Sequence, residues 1–74
     1  MGELAILHYS VAKTVTWDPS KREEVEAAKE QFNALMDEGF SALRISPGAG
    51  EGRKIDRFDA AAEKILMFPF LAGG

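Results

Sequence analysis

The chain has 74 residues, a formal charge of −3 and no cysteine. At this length only about 60% of the unfolded surface is buried on folding, which leaves room for one modest core and none for a deep cofactor cavity. The missing cysteine excludes disulfides, thiolate nucleophiles and sulfur-ligated metal sites, and the acidic balance offers no long-range attraction for nucleic acid or an anionic membrane.

Leu4 to Tyr9 is almost wholly apolar and predicts a strand. Ser10 to Lys13 has the length of a hairpin connection, although it lacks Asn-Gly or Asp-Gly. A second strand follows over Thr14 to Trp17, with Val15 and Trp17 expected toward the core and Thr14 and Thr16 toward solvent. WDPSKREE then reads as a helix start in two ways. Asp18 can cap the helix with Pro19 at its first position, or Ser20 and Glu23 can form a capping box.

From there Val25, Ala28, Phe32, Leu35 and Met36 form one apolar stripe, while Glu26, Lys29, Glu30, Asn33 and Asp37 cover the other side. Gly39 stops the helix near Glu38. One wide stripe suits packing across a sheet better than packing inside a bundle. Phe40 to Ile45 predicts a third strand, with Leu43 and Ile45 inward and Arg44 outward. SPGAGEG (46–52) breaks it, a short strand is expected over Arg53 to Phe58, and Asp59 can cap a brief helical turn. Ile65 to Phe68 is the last predicted strand, and LMFPFLAGG ends the sequence.

No catalytic constellation emerges. His8 is the lone histidine, without a partner for a multi-histidine metal site, and the serines fall where turns, caps or strand surfaces explain them. The glycines of GAGEG lack the GKS or GKT and the following helix of a phosphate loop. Asp56, Asp59 and Glu63 have no calcium-loop spacing, and Trp17 suits a core position. The expectation is therefore a non-enzyme with no bound cofactor and no metal. MGELAILHY has no basic region, so it is not expected to be a secretory signal, and no stretch approaches the roughly 20 apolar residues that cross a bilayer. A cytoplasmic location, without nucleic acid or membrane partners, is the corresponding expectation.

The tail is the one segment with a chemical reading of its own. Glycine next to a terminal carboxylate removes the side chains that would obstruct entry into a narrow adenylating site. The element order, the length and the ending FPFLAGG resemble the ubiquitin-like β-grasp superfamily, and within it the prokaryotic sulfur-carrier branch, the molybdopterin synthase small subunit and the thiamine-pathway sulfur carrier. The resemblance implies an α+β fold with a mixed sheet packed on one long helix, a compact body over 1–68 and an extended tail over 69–74. It also implies that Gly74 is the residue adenylated, with Gly73 its unobstructed neighbour and Phe68, Phe70, Leu71 and Ala72 as partner-binding residues. The partners implied are an adenylating enzyme that uses ATP and an acceptor protein, with the chain itself a monomer or weak homodimer.

A second reading stands beside it: a non-catalytic protein-binding module or small structural subunit, with a phage or mobile-element cluster as one setting. In that case an edge strand or apolar patch docks the partner and the glycines are dispensable.

Overall fold

The computed structural model describes residues 1–8, 11–46 and 52–69, and only the backbone of His8 and Val11. Five strands and one helix follow in the order β1 (Gly2–His8), β2 (Val11–Trp17), α1 (Arg22–Asp37), β3 (Ser41–Ile45), β4 (Gly52–Ile55) and β5 (Lys64–Phe68). The sheet order is β2-β1-β5-β3-β4. The central pair β1 and β5 runs parallel, and every other neighbouring pair is antiparallel. Helix α1 covers one face. This is the ubiquitin-like β-grasp arrangement, an α+β fold.

The β1–β2 register runs from Gly2↔Trp17 to His8↔Val11, so Val11 to Lys13 are strand rather than connection. Tyr9 and Ser10, like the loop over 47–51 and the tail over 70–74, lie outside the described residues. Alternate residues of each strand share a face, and the face toward α1 holds Leu4, Ile6, Trp17, Ala42, Ile65 and Met67, all buried. The helix adds Ala28, Phe32 and Leu35, with Val25 and Met36 packed at the margin. The five stripe residues expected from the 3.6 periodicity thus all meet the core, and Glu26, Lys29, Glu30, Asn33 and Asp37 are exposed.

Both ends of α1 have a local cause. At the C-terminus Gly39 adopts φ 97°, a left-handed conformation that a Cβ would disfavour. The Phe40 amide donates to the Leu35 carbonyl and the Gly39 amide to Met36, each at 3.0 Å. These two bonds are a Schellman ending, and they fold Phe40 and Leu35 into the same core. At the N-terminus neither expected cap forms: Lys21 is the N-cap, without a side-chain bond. Instead the Asp18 amide donates to Glu24 Oε1 at 2.9 Å, and Asp18 Oδ1 accepts from the Ser20 amide and hydroxyl at 2.9 and 2.8 Å. Asp18 and Ser20 are held in a turn of their own before the helix begins, and the carboxylate expected at the helix start serves that turn.

The bonds from Ser20 hold the Asp18 carboxyl below its ordinary value. A lowered folded pKa means that Asp18 stabilises the fold when ionised. Its contribution is complete above the ordinary carboxylate value of about 3.9 and is lost as pH falls through the lower folded value. Asp18→Asn keeps an acceptor but cannot titrate, so its melting temperature should fall less than the wild type's between about pH 5 and pH 2. Thermal melts of both proteins across that window test this, and parallel pH profiles would contradict it.

The segment between β4 and β5 closes one end of the core. Phe58 packs against Trp17 at a ring-centroid distance of 4.9 Å and against Phe32 at 5.8 Å. The Trp17 indole N–H donates to the Ala60 carbonyl at 3.1 Å. Asp59 caps as expected, accepting from the Ala61 amide at 2.9 Å, but the result is a turn and not a helix. Phe58, expected at the end of a strand, lies beyond β4, which stops at Ile55.

Gly2 sits across the ladder from Trp17, and a Cβ placed there would collide with the indole ring. Gly2→Ala is therefore expected to cost about 1–3 kcal/mol through displacement of Trp17. Urea denaturation measures the loss, and an unchanged midpoint would contradict the close approach.

Candidate interaction surface

The register corrects the sequence reading of β3. Ala42 lies opposite Met67 and Ile55, and all three face α1. Leu43 and Ile45 therefore project from the opposite face of the sheet, where they are half-buried, and are not the inward pair expected from their size. Arg44 shares the face of Ala42 instead of pointing away, and its Nε meets Asp59 Oδ2 at 3.3 Å at the rim of the core.

On the open face, Leu66 of β5 lies between Ala5 of β1 and Leu43 of β3. Phe68, two residues on, shares that face, as do Ile45 and Leu7. Leu7 is 43% exposed, while Leu43, Ile45, Leu66 and Phe68 are half-buried. No helix covers these residues among the described elements. Lys54 lies opposite Leu43 and Lys64 opposite Ile45, so two cations accompany the apolar strip. Three central strands thus bring together side chains from distant parts of the chain, on a surface with the character of a protein contact site.

Of the residues implicated by the resemblance, Phe68 ends β5 on this face and Pro69 follows it, half-buried. Phe70, Leu71, Ala72, Gly73 and Gly74 lie outside the described residues. Leu7, Leu43, Ile45 and Leu66 were not expected at the site. The strand register finds them: each lies on the face opposite the buried positions of its own strand, Ile6 in β1, Ala42 in β3, and Ile65 and Met67 in β5.

Apart from the indole bond of Trp17 to the Ala60 carbonyl, the polar side-chain contacts described for this chain belong to turns and rim pairs. Ser20 binds Asp18, Asp59 binds Ala61 and Arg44, and Lys21 approaches Glu24 at 3.8 Å. Among the described residues no group of three histidines, aspartates or glutamates is placed to hold a metal ion, and Asp56, Asp59 and Glu63 do not form such a group. Among them, too, no helix is long and apolar enough to cross a membrane. A scan against protein-family models, a search of curated proteins and a search of solved structures each return no match for this chain. The fold is consistent with a small β-grasp protein-interaction module.

The inverted β3 reading has a direct consequence for stability. Ala42→Asp, which buries an unpaired carboxylate under α1, should cost about 3–5 kcal/mol. Leu43→Asp, on the open face, should cost about 1–2 kcal/mol. Urea midpoints of the two variants test this order, and a greater loss for Leu43→Asp would reverse the assignment of faces.

Proposed function

We propose that this chain is a ubiquitin-like carrier or modifier whose Gly74 carboxyl is activated by a partner adenylating enzyme. A carboxylate oxygen of Gly74 attacks the α-phosphorus of ATP, and pyrophosphate leaves. A sulfur nucleophile or an acceptor-protein lysine then attacks the acyl carbon, and AMP leaves. The chain needs no catalytic side chain for either step; the partner supplies ATP and the chemistry.

The observation that supports this reading is the position of β5. It lies between β1 and β3 in the middle of the sheet, so the segment leading into FPFLAGG is anchored at the centre of a β-grasp body. The open face beside Phe68 gives an activating enzyme an apolar strip to grip next to the residues that precede the diglycine. Gly73 and Gly74 add no side chain to the part that must enter the enzyme.

Hydroxylamine trapping tests the proposal. The chain, with a free carboxyl on Gly74, is incubated with native-host extract, magnesium and ATP, and hydroxylamine is added. Activation converts the Gly74 carboxyl to a hydroxamate, located by fragment mass spectrometry and absent without ATP. No hydroxamate under these conditions would favour a second reading, a binding module that docks through its open face. The exposure of Leu7 beside Leu43, Ile45, Leu66 and Phe68 is what supports that reading.

A further inference from the structure

The two edges of the sheet are built differently. β4 has four residues, and Arg53 and Lys54 are exposed on it; short length and charge are the usual devices that block strand addition. β2 has seven residues and a single charge, Lys13, while Ala12, Thr14 and Thr16 are small, uncharged and exposed.

The direction of the β2 backbone groups follows from one hydrogen bond. The Glu3 amide donates to the Glu63 carbonyl at 3.0 Å, on the β5 side of β1. Backbone groups alternate in direction along a strand, so those of Gly2, Leu4 and Ile6 point to β2. Their register partners Trp17, Val15 and Lys13 answer them. The N–H and C=O groups of Ala12, Thr14 and Thr16 therefore point away from β1, where β2 has no neighbour among the described strands.

The geometry points to a second copy of this chain as the occupant of that edge, joined antiparallel about a two-fold axis at Thr14. In this register β2 overlaps itself over its whole length. Thr14 meets its own counterpart and Ala12 meets Thr16, each pair exchanging the outward-facing N–H and C=O groups. The side chains meeting on the outer face are small and carry no charge, and paired threonines across a ladder are favourable. Lys13 faces Val15 of the other copy. The neighbouring register centred on Lys13 sets like charges directly opposite, and the one centred on Val15 leaves Val11 and Ala12 without a strand partner, so charge and overlap together favour the Thr14-centred pairing.

A two-fold axis normal to the sheet places both α1 helices on the same side. Each carries the exposed Glu23, Glu26 and Glu30, and each chain a net charge of −3. Repulsion opposes the dimer, and salt relieves it. Association is thus weak at low ionic strength and strengthens as the screening length falls from about 30 Å at 0.01 M salt to about 8 Å at 0.15 M.

Sedimentation equilibrium of the full chain, up to about 1 mM and at both salt concentrations, tests this. The expected result is a concentration-dependent species of twice 8.1 kDa that is more populated at the higher salt. Thr14→Lys places two lysines face to face on the axis and should weaken dimerisation about tenfold or more. Thr14→Pro removes the outward N–H while leaving the β1 ladder intact, and should leave only monomer. Circular dichroism verifies that each variant is folded, and if the proline variant is not, Thr14→Lys decides alone. A wild-type chain that stays at 8.1 kDa throughout overturns the proposal. So does a dimer that Thr14→Lys leaves intact, because it forms through another surface. Neither readout involves Gly74.

Discussion

Trp17→Ala should remove a quarter or more of the domain's stability, about 3–5 kcal/mol. Trp17 is fully buried, and its ring is the hub of the contacts that close one end of the core. Phe58 packs on it, Gly2 lies flat against it, and its N–H ties down the segment between β4 and β5 through the Ala60 carbonyl. Truncation of a buried tryptophan costs about 3–5 kcal/mol through lost transfer energy and the cavity left behind. A chain of 74 residues has a total stability of roughly 4–11 kcal/mol at the usual per-residue values. Trp17→Phe keeps ring contacts and loses the indole bond, so it should cost clearly less. Urea unfolding followed by circular dichroism measures both, and a Trp17→Ala midpoint close to wild type would contradict the role assigned to this ring.

The second large effect concerns function and leaves the fold alone. Removal of Gly74, or Gly74→Val, should abolish ATP-dependent activation while the free energy of unfolding stays within about 0.5 kcal/mol of wild type. Deletion shifts the reacting carboxyl by one residue, and valine crowds the acyl carbon with a branched side chain. Gly73→Val should act in the same direction by obstructing the approach. Hydroxamate formation on each variant, measured beside its stability, separates the two properties. A Gly74-deleted chain that is still activated at the wild-type rate would remove the diglycine from the mechanism.

Much of the fold was legible because its signals were redundant. The stripe from Val25 to Met36 and the stop at Gly39 define α1 in two independent ways, and the structure adds the Schellman bonds that the glycine permits. The helix start was harder because Asp18, Ser20, Glu23 and Glu24 all offer capping oxygens within a few residues. The choice among them depends on how the chain leaves β2, which is not a local property. The β3 faces were misread for a related reason. SALRI has apolar residues at both parities, so alternation has no contrast, and size favoured Leu43 and Ile45. The small Ala42 is buried because Met67 and Ile55 flank it under α1, a fact of register between distant strands. The open face was invisible for the same cause: Leu43 meets Leu66 only through the β3–β5 pair, and Leu7 joins their face only once the parallel β1–β5 pair has formed.

Intact-mass spectrometry of the untagged chain, purified from its native host with little reducing agent, tests the carrier reading most directly. The expected result is a fraction altered at Gly74 alone, either with one carboxylate oxygen replaced by sulfur or joined to a lysine of another protein. Fragmentation must place the change on Gly74 and not on an oxidised methionine. A chain recovered wholly unmodified, even after incubation with the host's adenylating enzymes and ATP, would contradict it.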